Sequence, residues 1–197
     1  MALSPIVLPN AELLLDPDFL PPAKAQTLFA ELTSSIVWKH EPIKLFGREV
    51  MQPRLTAWHG DAGASYRYSG LQLQPQPWTP ALLQLRGQVE AAAGAAFNSV
   101  LLNLYRSGQD SMGWHADDEP ELGPEPIIAS VTLGATRNFR LKPRDPNLTA
   151  HAPVTLPLTA GGLLLMRGPT QRYWLHALPK TTRPVGPRLN LTFRLVK

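Results

Sequence analysis

The chain has 197 residues, 44% of them hydrophobic and 17% charged, with a formal net charge of +4. That length fits one domain with a real core, and 21 prolines with 14 glycines stay below the ~25–30% of a low-complexity disordered chain. No cysteine is present, which excludes disulfides, cysteine-ligated zinc, iron–sulfur clusters and thiol catalysis. The mild positive excess permits a polyanionic partner without requiring one. No apolar run of about 18 residues occurs, and residues 1–10 lack the basic and apolar regions of a signal peptide. The expectation is a cytoplasmic monomer with no membrane partner.

Residues 1–22 are interrupted by proline and carry one short apolar run, Leu13 to Leu15. They read as an N-terminal extension to a single domain over 23–197. Pro21 and Pro22 open a first helix, in which Ala25, Leu28, Phe29, Leu32 and Ile36 share one face. The stretch from 41 to 77 reads as short strands and hairpins, with turn signals at Phe46-Gly47, His59-Gly60-Asp61 and Ser69-Gly70. A second helix follows: Thr79 caps it, Pro80 is its first residue, Leu82, Leu85, Val89 and Ala92 form its stripe, and Gly94 ends it.

From 98 to 197 the pattern changes to short strands: Ser99 to Tyr105, Ile127 to Gly134, Phe139 to Lys142, Val154 to Leu158, Leu163 to Arg167, Tyr173 to Leu178 and Arg188 to Val196. Many short strands with turns between them predict a sandwich or barrel rather than βαβ units. The fold class is therefore mainly β with flanking helices (α+β), a double-sheet jelly roll.

Two strands carry polar groups on one face. Arg188, Asn190, Thr192 and Arg194 alternate with Leu189, Leu191 and Phe193; Asn103 and Tyr105 alternate with Leu102 and Leu104. Each face is either solvated or the lining of a cavity. His115 and Asp117 stand two apart and point the same way in extended chain. With a distant histidine such as His176 they would make the two-histidine, one-carboxylate face that binds Fe(II) in non-haem oxygenases. His-x-Asp alone is a weak signal. His40, His59 and His151 lack this context and read as surface or loop residues.

The ordered set Asn103-x-Tyr105, His115-x-Asp117, His176 and Arg188-x-Asn190-x-Thr192-x-Arg194 resembles the AlkB family of Fe(II)- and 2-oxoglutarate-dependent dioxygenases, from about Glu41 to the last residue. The resemblance implies a double-stranded β-helix, a nucleotide-recognition region over about 41–77, and the cofactors Fe(II), 2-oxoglutarate and O2. His115, Asp117 and His176 would bind the metal. Arg188 would receive the far carboxylate of 2-oxoglutarate, Asn103 and Tyr105 would hydrogen-bond it, Arg194 would hold its metal-bound end, and Asn190 would brace the arginines.

The hairpin Tyr66-Arg67-Tyr68-Ser69-Gly70 resembles the family's base-recognition hairpin. There Tyr68 would stack on a flipped base with His115 on the other side, and Glu119 would accept from its exocyclic amine. Ile43 to Arg48 resembles the finger of the duplex-DNA repair subgroup, with Phe46 as wedge, Leu45 beside it, Gly47 in the turn and Arg54 near the finger. Arg137, Arg140, Lys142, Arg144, Lys180 and Arg183 could meet phosphates, and Asp118 has no assigned role. The implied activity is oxidative demethylation of 1-methyladenine and 3-methylcytosine in duplex or single-stranded DNA, releasing formaldehyde. The alternatives are an Fe(II)/2-oxoglutarate enzyme acting on RNA, protein or a small molecule, a damage-binding module without catalysis, and a jelly roll with no such site.

Overall fold

Alternation along the strands dictates two sheets with a lined space between them. The computed structural model describes residues 3–45, 48–64, 66–68, 71–147 and 150–197. Phe46 and Gly47 lie outside the described residues, as do the side chains of Leu45 and Tyr68.

In chain order the elements are β1 (Ser4–Ile6), β2 (Glu12–Asp16), α1 (Pro22–Ser35), β3 (Pro42–Leu45), β4 (Arg48–Met51), β5 (Leu55–Gly60), β6 (Tyr66–Tyr68), β7 (Leu71–Leu73) and α2 (Pro80–Ala93). Then follow β8 (Ser99–Tyr105), β9 (Met112–His115), β10 (Ile128–Gly134), β11 (Arg137–Pro143), β12 (Val154–Leu158), β13 (Leu163–Arg167), α3 (Thr170–Tyr173), β14 (Trp174–Leu178) and β15 (Arg188–Arg194). Among the described residues, one sheet has the order β1-β2-β13-β10-β15-β8-β5 and the facing sheet has β12-β11-β14-β9, while β3-β4 and β6-β7 form separate hairpins. All pairs in both sheets are antiparallel. Between β8 and β15 the chain crosses between the sheets at every connection except β11 to β12, which is the double-stranded β-helix expected.

The two helices form as their sequences require. Thr79 Oγ1 accepts from the Leu82 amide at 3.2 Å, and Gly94 closes α2 in the left-handed conformation at φ 63°. Leu28 and Leu32 of α1 and Leu82, Leu85 and Val89 of α2 pack on the apolar side of the larger sheet, against Val100, Leu102, Val131, Leu189, Leu191 and Phe193. A second cluster, with Leu13, Ile128, Leu141, Leu164, Met166 and Trp174, fills one end of the space between the sheets. The other end is left to polar side chains. Among the described residues no helix is long and apolar enough to cross a membrane.

Three expectations change. Residues 1–22 supply β1 and β2, and β2 pairs with β13 from Asp16↔Leu163 to Glu12↔Arg167. They extend the sheet instead of preceding the domain, because Leu13 enters the core. His59 is 3% exposed, a core residue of β5 whose Nδ1 meets the Pro77 carbonyl at 2.7 Å. Arg137 is buried and donates to the carbonyls of Ser107, Asp110 and Pro179 at 2.6–3.1 Å. It clips loops together, so no guanidinium is left there for a phosphate.

Candidate metal and co-substrate site

β9 and β14 are neighbours in the smaller sheet, and His115 lies opposite His176 in their register. Two residues beyond His115, Asp117 turns back toward the same point. One ligand atom from each of the three lies within 4.8 Å of the others. The imidazoles meet edge-on with centroids 4.2 Å apart, and Phe139 stacks on His176 at 5.3 Å. His115 Nδ1 is 2.9 Å from the Gly113 carbonyl. Only a donor satisfies a carbonyl, so Nδ1 carries the proton and Nε2 keeps its lone pair for a cation.

Asp117 is 2% exposed and held from three directions. Arg194 Nη2 donates to Oδ1 at 2.5 Å, Oδ2 lies 3.7 Å from His176 Nε2, and the backbone amide donates to Gln171 Oε1 at 2.9 Å. Burial pushes this carboxyl up, but Arg194, His176 and His115 outweigh it and hold its pKa below the usual range. Burial lowers His176 from 6.5 to about 4, with Asp117 opposing and His115 and Arg194 adding to the fall. At neutral pH His176 is therefore uncharged, and its approach to Asp117 is a shared ligand geometry rather than an ion pair.

The polar faces of β8 and β15 line the cavity behind these ligands. Asn103 is opposite Asn190 and Tyr105 opposite Arg188, so period-two alternation delivers all four to one wall. Arg188 is 2% exposed. Its Nη2 donates to Thr132 Oγ1 and Asn190 Oδ1, both at 2.9 Å, and its guanidinium lies 5.5 Å from the Tyr105 ring centroid. Asn190 is braced by Ser130 Oγ at 2.9 Å and bonds Thr192 at 2.8 Å. Burial lowers Arg188 to about 10 despite the pull of Tyr105, with Arg137 adding to the fall. Burial likewise raises Tyr105 against the arginines 188, 54 and 137.

The Nε atoms of Arg188 and Arg194 are buried without a partner. Buried donors are almost always satisfied, so two orphaned guanidinium donors on one cavity fit an anion with acidic groups at both ends. The donor set of two imidazoles and one carboxylate fits Fe(II) with positions left open.

Arg54, expected near the finger, turns its side chain to β8. It is 9% exposed, and its Nε donates to Asn103 Oδ1 at 2.7 Å. That bond fixes the amide so that its NH2 end is the one left for the cavity. Glu119 stands just before a 3-10 turn, Pro120–Leu122, and its Oε2 is buried with no partner. It lines a second cavity of about 350 Å3 that shares Leu101, Met112 and Arg194 with the first. Arg140 and Lys142 point outward, 5.8 and 4.8 Å from the half-exposed Trp114 ring. Asp118 pairs with Arg144 at 2.6 Å on the surface.

The sequence reading missed Ser130, Thr132 and Gln171. The first two carried a signal, since they alternate with Ala129, Val131 and Leu133 on an expected strand. Gln171 carried none; it sits in a four-residue helix.

A jelly roll whose lined end combines a His-Asp-His face with two buried, half-satisfied arginines defines a non-haem Fe(II) oxygenase with an acidic co-substrate. The profile of the 2OG-Fe(II) oxygenase superfamily matches residues 12–194. Alpha-ketoglutarate-dependent dioxygenase alkB homolog 3 of Bos taurus is 43% identical over 188 residues, 92% of this chain and 65% of that protein. DNA oxidative demethylase ALKBH2 of Homo sapiens is 41% identical over 181 residues, 88% of this chain and 69% of that protein. The chain thus belongs to the 2OG-Fe(II) oxygenase superfamily, in its AlkB branch, with Fe(II) and 2-oxoglutarate as its cofactors and O2 as co-substrate. It spans about two thirds of the length of these relatives. The solved structure of OsALKBH1 covers 98% of this chain and 99% of its own at a TM-score of 0.65 and 16% identity, a likeness of fold.

Proposed function

We propose that this chain removes methyl groups oxidatively from ring nitrogens of adenine and cytosine in DNA. The observation that carries the reading is Glu119 Oε2, a buried acceptor with no partner in a cavity that shares Leu101, Met112 and Arg194 with the one lined by the metal ligands. A carboxylate placed so asks for an N–H donor, and the exocyclic amines of methylated adenine and cytosine are such donors. The named activity of the ALKBH2 relatives, DNA oxidative demethylation, supports the same substrate class.

The residues divide the work. His115, Asp117 and His176 would hold Fe(II). Arg188 would take the far carboxylate of 2-oxoglutarate in a planar fork, Arg194 its near end, and Asn103 and Tyr105 would donate to it. Asn190 holds the Arg188 fork through its Oδ1. Bound Fe(II) would supply oxidation of N–CH3 to N–CH2OH by O2, one oxygen atom entering the hydroxymethyl group and the other the succinate formed as 2-oxoglutarate loses CO2. The hydroxymethyl product then loses formaldehyde as the C–N bond breaks and the ring nitrogen keeps the electron pair. Tyr68 would stack on the flipped base against His115, and Leu45, Phe46 and Gly47 would fill the gap left in a duplex.

The test uses the full chain with Fe(II), ascorbate and 2-oxoglutarate, and oligonucleotides carrying one 1-methyladenine as single-stranded DNA, duplex DNA or RNA. Mass spectrometry is expected to show loss of one methyl from DNA, dependent on both Fe(II) and 2-oxoglutarate. Succinate formation without methyl loss from any strand refutes the nucleobase reading and leaves the oxygenase.

A further inference from the structure

The cavity beside the metal ligands holds a second buried acceptor without a partner, Gln52 Oε1. We propose that Gln52 is a specificity-determining residue, reading with Glu119 the amino edge of a cationic methylated base. The inference rests on the demethylase reading above and concerns which bases the cavity accepts.

Gln52 is fixed before any ligand arrives. Its amide donates to the Glu41 carbonyl at 3.1 Å, and its own carbonyl meets His40 Nε2 at 2.8 Å. The backbone is thus clamped between the end of β4 and the start of β5, and the side chain lines the cavity wall. The cations on that wall are already engaged. Lys39 pairs with Glu41 at 3.8 Å, Arg54 donates to Asn103, and Arg194 holds Asp117. Besides Arg194 Nε, the donor assigned above to the co-substrate anion, the unsatisfied groups on this wall are Glu119 Oε2 and Gln52 Oε1, both acceptors.

Such a wall selects by hydrogen-bond polarity and by charge. Methylation at N1 of adenine or N3 of cytosine leaves a cationic ring whose exocyclic amine offers two N–H groups. Methylation at N3 of thymine leaves a neutral ring with carbonyl oxygens on that edge. Those oxygens would face two acceptors and leave both unpaired, the situation in which sites built for hydrogen bonding discriminate most strongly.

The experiment compares kcat/KM for single-stranded DNA carrying 3-methylcytosine or 3-methylthymine. Gln52→Leu keeps the volume and removes the acceptor; Gln52→Glu keeps an acceptor. Gln52→Leu is expected to lower kcat/KM for 3-methylcytosine about tenfold and to leave 3-methylthymine unchanged, with the KM for 2-oxoglutarate unaltered. Gln52→Glu is expected to retain the wild-type preference. A wild-type preference in Gln52→Leu overturns the proposal, and so does loss of preference in Gln52→Glu, which would make the amide nitrogen the reading end. A wild-type protein inactive on both strands overturns the demethylase reading instead, and the proposal falls with it.

Discussion

Replacing Arg188 with methionine separates co-substrate recognition from folding. The side chain is buried, and its Nη2 bonds Thr132 and Asn190 while Nε has no partner. On the stability side, burial lowers its pKa from the ordinary arginine range to about 10, so the fold carries a penalty of about 3 kcal/mol for keeping this cation. Methionine removes that penalty. It also removes two hydrogen bonds of about 1.5–3 kcal/mol each, although Asn190 Oδ1 keeps Ser130 as a donor. The terms leave a net loss of about 0–3 kcal/mol, so the Tm is expected to fall by no more than about 10 °C, at about 2–4 °C per kcal/mol for a domain of this size. On the binding side nothing offsets the loss. A two-pronged guanidinium–carboxylate contact of about 3 kcal/mol disappears, so affinity for 2-oxoglutarate falls about 100-fold. The assay is calorimetric titration of the Mn(II)-loaded protein without oxygen. One titrant is 2-oxoglutarate and the other is 2-oxopentanoate, which lacks the far carboxylate. Wild type should favour 2-oxoglutarate strongly, and Arg188→Met should bind the two alike. A variant that still prefers 2-oxoglutarate by the wild-type ratio refutes the assignment of Arg188 to that carboxylate.

Two further predictions concern the groups around it. His176 has a folded pKa of about 4 against 6.5, so between those values the unfolded chain binds more protons and stability rises with pH. The metal-free protein should therefore lose about 3 kcal/mol as pH falls from above 6.5 to about 4. Denaturant titrations across that range measure the slope, and an unchanged slope in His176→Leu would contradict the cause given. Arg54→Leu frees the Asn103 amide to turn and should raise the KM for 2-oxoglutarate about tenfold without changing how DNA affinity depends on salt. A salt slope reduced by about one, with the KM intact, would instead make Arg54 a phosphate contact.

The polar faces of β8 and β15 were legible because a strand has no choice about alternation. Once Leu189, Leu191 and Phe193 enter the core, Arg188, Asn190, Thr192 and Arg194 must share the opposite wall. The second helix was legible for a similar reason: Thr79, Pro80 and Gly94 mark its ends with groups whose chemistry is local. What alternation does not encode is partnership across loops. Arg137 and Arg54 look like any basic residues in a sequence, and only the folded chain shows that one reaches three carbonyls and the other an amide oxygen. The first 22 residues were misread for a related cause. Three leucines between prolines give too short a run to reveal a strand, and the sheet edge at β13 that receives them lies far away in sequence.

Asp117 shows why the partners outside the ligand set matter as much as the ligands. A carboxylate free to turn could offer a cation both oxygens, which would occupy two positions instead of one. Arg194 takes Oδ1, and Gln171 pins the backbone amide from a helix in the opposite crossover. Only Oδ2 remains on the side of His176. The same arginine still has a buried Nε with no partner, so one side chain both restricts the aspartate to a single ligand atom and leaves a donor on the cavity wall. The short pattern Arg-x-Asn-x-Thr-x-Arg at the end of the chain therefore sets two things at once. Its first arginine fixes the far end of the cavity, and its last couples the metal ligand to whatever anion lies between them.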